Sequence, residues 1–347
     1  MKSARAALLF SVSGALVRAG DLPSTVPLQL SKGFWQGDFT VGPQTFALTI
    51  DTGSFAALVK KGLYLPSASS QQTNISEWIQ FNGASEDSTG PAQETIYFVR
   101  DTVEFAGLTA QQFLVGNITD GDDLPGDGVL GLSPPASNNE DLSNGQGIIE
   151  TFCASGDLSP CQFGVALGKD GHGSLYLGEL DKSKISGEIT TVPTAKHDTW
   201  TVTNSTPDNA PFLVVDGKPF SAIYATFDSG GPNLMGPLTQ VRDLLKSVGY
   251  NITEQTNDGI TVALGTYDCA RTPAQIGFSF PPSEAIHYID GAALELNRTA
   301  DGKVCTANVL GTSTVDAPQW SVGQTWFQGR YVQHDLDKNE LSFADLA

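Results

Sequence analysis

The sequence predicts a mainly β protein made of two related lobes with a cleft between them. The first observation is compositional. Charged residues are 16% of the 347 and glycine occurs 37 times, a profile of strands and turns rather than helical bundles. The second is a signature that occurs twice, Thr49-Ile50-Asp51-Thr52-Gly53-Ser54 and Thr226-Phe227-Asp228-Ser229-Gly230-Gly231. Phe46, Leu48 and Ile50 alternate before the first aspartate, and Ile223, Ala225 and Phe227 before the second. Period-two alternation ending at a glycine turn reads as a strand delivering an aspartate to a loop. The third is a weak repeat. Gly131 in Val-Leu-Gly follows Asp51 by 80 positions, and Gly323 in Ser-Val-Gly follows Asp228 by 95. The same order twice suggests duplication, each half supplying one carboxylate. Length alone also suggests two domains.

Taken in order, residues 1–19 read as a signal peptide. Lys2 and Arg5 precede an apolar run from Ala6 to Val17, too short to span a bilayer well. Cleavage after Ala19 removes three basic residues and no acidic one, taking the net charge from -19 to -22. Val26 to Val41 is extended, and Gly42-Pro43 turns the chain into the strand that ends at Asp51. Phe81 is followed by Asn82-Gly83, a hairpin-turn signal, and by a polar stretch from Ala84 to Gln93. Thr95 to Phe105 is β-rich. Ile148, Ile149 and Phe152 suggest a short helix stopped by Gly156. Near Lys182 to Pro193 the chain crosses between lobes, giving domains of 20–190 and 191–347.

In the second half, Phe212 to Val215 and Lys218 to Phe227 read as strands around Asp216-Gly217. The clearest helix is Pro237 to Val248. Leu238, Val241, Leu244, Leu245 and Val248 share one face, and Gly249 stops it. The last strands are Tyr331 to Asp335 and Glu340 to Phe343.

The charge of -19 and pI of 4.4 argue against nucleic acid, whose phosphates would be repelled. With 19 Lys+Arg and 4 His, little positive charge accumulates in acid, so the acidity reads either as solubility or as acid tolerance. Four cysteines allow three pairings. The favoured one joins Cys153 to Cys161 across a short loop and Cys269 to Cys305; free thiols are less expected in an oxidising compartment. Sequons at Asn74, Asn117, Asn204, Asn251 and Asn297 also point to the secretory route. No stretch after the signal reads as a membrane anchor.

The chemistry rests on pairing. Two carboxylates in contact cannot both ionise in a shielded cleft, so they share one proton. The ionised member takes a proton from water while the protonated member polarises a carbonyl. Thr52 and Ser229 can tie one loop to the other. No metal or cofactor motif is visible: Asp120, Asp122, Asp123 and Asp127 lack the alternation of a calcium loop. His172, His197, His287 and His334 have no nucleophile motif nearby.

On these motifs the chain resembles the pepsin-like aspartic proteases, from about Gly37 to Leu346. Asp127 to Leu132 resembles the family's Asp-Gly-Ile-Leu-Gly-Leu segment. Phe227 to Gly230, the following helix, and Trp320 to Gly323 resemble its second-lobe segments. Cys269–Cys305 matches a disulfide of that lobe. The resemblance implies Asp51 and Asp228 as the catalytic dyad and a peptide or protein as substrate, bound extended without a cofactor. It implies a secreted monomer, with the vacuole as the alternative destination.

Four departures stand out. Phe81 aligns with the family's flap tyrosine, with Asn82 and Gly83 beside it; Tyr97 or Trp78 are alternatives for that role. Leu58 replaces the tryptophan that partners this tyrosine. Gly231 stands where a hydroxyl residue is usual, leaving an outer oxygen of Asp228 without a hydrogen bond. Only 31 residues separate Gly20 from Asp51, too few for the usual pro-segment as well as the first strands. These departures motivate an alternative: a pepsin-fold protein that binds a partner, or uses the dyad on a small molecule.

Overall fold

A computed structural model describes residues 25–81, 92–121, 124–134, 147–195, 199–203, 210–257 and 259–347. The signal segment, Asn82, Gly83, Asn204, Asp122, Asp123 and His197 lie outside the described residues, as does the side chain of Phe81.

The alternation before each aspartate does what period two requires. Phe46, Leu48 and Ile50 are buried along the strand Gln44–Asp51, as are Ala225 and Phe227 along Tyr224–Phe227. Ile223 is buried but lies just before that strand, which breaks the longer extended run expected from Lys218. Each aspartate strand is then held by the same arrangement of neighbours. Gln44–Asp51 pairs in parallel with Gly128–Gly131, setting Asp51 against Gly131, and Ala57–Val59 lies antiparallel on the far side of Gly128–Gly131. Tyr224–Phe227 pairs in parallel with Gln319–Val322, and Leu234–Pro237 lies antiparallel on its far side. The repeat of an apolar pair and glycine is therefore a repeat of strand neighbours. It gives a mostly β, bilobal molecule.

Among the described residues the first aspartate ends a strand of a 13-stranded sheet and the second follows directly on a strand of an 8-stranded one; a third sheet has four strands. The large sheet draws on both ends of the sequence. Arg330–Asp335 pairs with Gln162–Leu167, and Glu340–Leu346 fills the space between Arg330–Asp335 and Ile185–Pro193. The segment expected to cross between lobes is thus partly a strand of this sheet.

Two short helices stand close to where the sequence puts them. Ile148–Ser155 buries Ile148, Ile149 and Phe152. Leu238–Ser247 buries Val241, Leu244 and Leu245 against Val304–Thr312, and Gly249 leaves it with φ of 70°, a conformation that costs glycine nothing. The 216–217 turn has positive φ at both residues, as a tight hairpin between right-twisted strands demands. Disulfides join Cys153 to Cys161 and Cys269 to Cys305.

Asn82 and Gly83, read as a hairpin-turn signal, lie outside the described residues; the strands on either side, Gln71–Phe81 and Ala92–Phe105, pair antiparallel so that Phe81 faces Ala92. Among the described residues, no helix is long and apolar enough to cross a membrane.

Candidate active site

The two Asp-[Thr/Ser]-Gly loops meet and bond to each other. Thr52 Oγ1 donates to Phe227 O at 2.9 Å, and Ser229 Oγ donates to Ile50 O at 2.7 Å. Each hydroxyl also accepts from the opposite backbone: Thr52 N–H bonds Ser229 Oγ at 3.1 Å, and Ser229 N–H bonds Thr52 Oγ1 at 2.9 Å. Thr52 is 0% and Ser229 1% exposed, so all four bonds are sheltered from water. Small hydroxyl residues are required here because each must donate and accept at once.

The glycines permit the close approach. A Cβ on Gly53 would lie 2.5 Å from Asp228 Cγ, and one on Gly230 would lie 2.4 Å from Asp51 Cγ. Any larger residue would push a carboxylate out of place. Each carboxyl thus lies against the glycine of the opposite loop, near enough for the charge of Asp228 to bear on Asp51.

Asp51 Oδ1 accepts Gly53 N–H at 2.7 Å, and Oδ2 accepts the Ser54 hydroxyl at 2.6 Å. Asp228 Oδ1 accepts Gly230 and Gly231 N–H at 2.9 and 3.0 Å. Its Oδ2 accepts the Ser321 hydroxyl at 3.3 Å. The expectation that Gly231 leaves this oxygen without a hydrogen bond is therefore corrected. The donor comes from the adjacent parallel strand, where Ser321 is paired with Thr226. Burial, then the neighbouring Asp228 charge, pushes the Asp51 carboxyl up to about 8, against the Ser54 and Gly53 hydrogen bonds. The pair is built to hold one proton well above the usual carboxylate range.

The carboxylates open on a cleft of about 580 Å³. Phe55, Leu58, Ile79, Met235 and Val315 give it apolar walls, and Gln80 reaches it from the Gln71–Phe81 strand. Trp78 and Tyr97, the alternatives for the flap role, do not line it and are 58% and 53% exposed. Leu58 is 1% exposed and packs with Ile96, Phe98 and Leu114.

The other singled-out residues lie elsewhere. Asn74, Asn251 and Asn297 are exposed, and Asn117 is half-buried in a strand with partners on both sides. Asp120 pairs with Lys61 at 2.9 Å, and Asp127 accepts the Ala47 N–H, so these acids pin loops. His334 is buried against Phe163 and Trp200, and His287 bonds Thr190. Sequence reasoning missed Ser321 and Gln324. Gln324 donates its backbone N–H to Gly231 O at 2.7 Å and its side-chain amide to Ser229 O at 2.9 Å. The Ser-Val-Gly repeat marked their neighbourhood without marking them.

Comparison with known proteins gives the same picture. The eukaryotic aspartyl protease family profile matches residues 35–346. A relative, secreted aspartyl protease 1 of Malassezia globosa, is 26% identical over 317 residues, covering 89% of this chain and 73% of that protein. Gastricsin of Oryctolagus cuniculus is 25% identical over 357 residues, covering 95% of this chain and 86% of its own length. The crystal structure of the aspartic proteinase of Irpex lacteus shares the fold, with a TM-score of 0.74 at 18% identity over 93% of this chain and 97% of that one. With its family profile matched over nearly all of the described sequence, the chain belongs to the eukaryotic aspartyl protease family and is an aspartic-type endopeptidase.

Proposed function

We propose that this protein is a secreted endopeptidase that hydrolyses peptide bonds at acidic pH with Asp51 and Asp228 as its dyad. The observation that carries the reading is the reciprocal bonding of the Thr52 and Ser229 loops, with both carboxyls turned to one cleft. The pair holds one shared proton, weighted towards Asp51 by its burial. Water bound between the carboxyls loses a proton to Asp228 as its oxygen attacks the scissile carbonyl carbon. Asp51 passes its proton to the carbonyl oxygen, giving a neutral tetrahedral diol. Collapse returns a proton from a diol hydroxyl to the dyad, protonates the amide nitrogen and breaks the C–N bond. Activity falls on the alkaline side as the pair loses its shared proton.

In this reading 20–190 and 191–347 are the lobes, each giving one aspartate. Secretion follows removal of residues 1–19, and the protein works as a monomer on extended peptide. The exposed sequons and two disulfides support passage through an oxidising secretory route.

The test is cleavage of a denatured protein between about pH 3 and 7, with and without a pepstatin-type inhibitor, beside Asp51→Asn and Asp228→Asn. Inhibitor-sensitive cleavage that both variants lose is the expected result. A folded wild-type chain that cuts nothing at any of these pH values sinks the reading and leaves the non-proteolytic alternative.

A further inference from the structure

The two halves supply their carboxylates with hydroxyls by different routes. In the first, Ser54 donates to Asp51 Oδ2 from the loop itself. In the second, position 231 is the counterpart of Ser54 and is glycine, while Ser321 donates to Asp228 Oδ2 from the adjoining strand. Strand register makes the comparison direct. Thr226 pairs with Ser321 as Thr49 pairs with Val129. Val129 is apolar and 3% exposed, so the first half has no hydroxyl at that place. Each half therefore keeps one hydroxyl per outer carboxylate oxygen, drawn from one of two alternative positions. A Cβ on Gly231 would stand 3.1 Å from the very oxygen that Ser321 bonds. A loop hydroxyl and Ser321 thus address the same atom, and a serine at 231 needs only a small shift of the carboxylate. Ser321 also lines the cleft.

We propose that Ser321 is a positioning residue of the dyad, holding Asp228 Oδ2 in place of the loop hydroxyl that Gly231 lacks. This rests on the dyad reading given above. A hydroxyl that donates to a carboxylate favours its ionised form and fixes its orientation. At 3.3 Å against 2.6 Å, the Ser321 bond is the longer of the two, so the dyad is hydrogen-bonded unequally.

The test compares Ser321→Ala, Ser321→Thr and the double variant Ser321→Ala/Gly231→Ser. In Ser321→Ala the acid limb of kcat/KM moves up by about half to one pH unit, less than the roughly one to two units a full hydrogen bond to a charged group carries, because this bond is long at 3.3 Å. kcat falls about 3- to 10-fold while KM stays within about twofold, because the loss is felt in the transition state. Ser321→Thr keeps the hydroxyl and the wild-type limb, and Gly231→Ser returns the limb in the Ser321→Ala background. Ser321→Cys, nearly isosteric with a weak donor, gives the same shift in smaller degree and serves if the alanine variant is unstable. The carbon-13 carboxyl titration of Asp-labelled protein, assigned with Asp228→Asn, reads the same shift without turnover. If no peptide is cut, the function fails while this titration still decides the role of Ser321. An unchanged acid limb and an unchanged titration in Ser321→Ala, or no restoration by Gly231→Ser, overturn the proposal.

Discussion

Replacing Ser229 with alanine is the sharpest test of how the two lobes are joined. The Ser229 hydroxyl serves two buried backbone groups in opposite roles: it accepts from Thr52 N–H and donates to Ile50 O. Alanine fits the space, so packing barely changes, and both groups are left unsatisfied at a site with 0–1% exposure. An orphaned buried polar group costs about 1–3 kcal/mol, so the variant should lose about 2–6 kcal/mol. The unfolding entropy near the transition is about 2.1 cal/mol/K per residue, or about 0.7 kcal/mol/K for 347 residues. The expected fall in Tm is therefore about 3–8 °C, read by calorimetry at one fixed pH. Thr52→Val should act alike, since it strands Phe227 O and Ser229 N–H. Together the changes should cost less than the sum, because once the loops part water reaches the freed groups. A Ser229→Ala protein melting within about 1 °C of wild type would show that the crossed bonds do not hold the loops together.

Three further outcomes follow from burial, loop length and exposure. Burial first pushes both Asp51 and Glu150 up, to about 8 and about 7, and Glu150 Oε1 has no hydrogen-bond partner. Both groups hold more protons folded than unfolded, so their stability is full below pH 3.8 to 4.5 and is lost as pH rises through 7 to 8. His334 works in the other sense. Burial lowers it from 6.5 to about 3, so its contribution is lost as pH falls through that window. Glu150→Gln should therefore flatten the neutral-side fall in a Tm-against-pH series, and an unchanged fall would refute it. Among the disulfides, Cys269–Cys305 closes a span of 36 and Cys153–Cys161 one of 8. Chain-entropy arithmetic gives about 4 and about 2.5 kcal/mol, so paired serine replacements should lower Tm more for the first; equal losses would contradict the entropic account. Peptide mass spectrometry of secreted protein should find glycan at Asn74, Asn251 and Asn297, which are exposed, and none at half-buried Asn117.

What the sequence makes legible is whatever is written locally. The alternation into Asp51 and Asp228, the apolar face from Val241 to Leu245 and the Asp216-Gly217 turn all need only a few neighbouring residues to declare themselves. The mutual bonding of Thr52 and Ser229 was also within reach, because the doubled motif itself asks for it. What fails locally is decided by register. Ser321 is 93 positions from Asp228, and only the pairing of Thr226 with Ser321 brings its hydroxyl to the carboxylate. Asn82-Gly83 signals a turn locally, but how far the flanking strands extend is set by their register, which places Phe81 opposite Ala92. No window of sequence reports that Glu340–Leu346 lies beside Ile185–Pro193.

That last pairing bears on when the enzyme can exist. A growing chain leaves the ribosome from its N-terminal end, yet the sheet that carries Asp51 takes in Arg330–Asp335 and Glu340–Leu346. Through most of synthesis Gln162–Leu167 and Ile185–Pro193 each lack a neighbour, and the second aspartate lobe is unfinished. The large sheet therefore stays incomplete until residues 330–346 have been made. A chain ended at Asp335 should bind no pepstatin-type inhibitor; binding by that fragment would mean that the cleft forms without its final strand. The order of translation itself thus sets when the sheet beneath Asp51 can close.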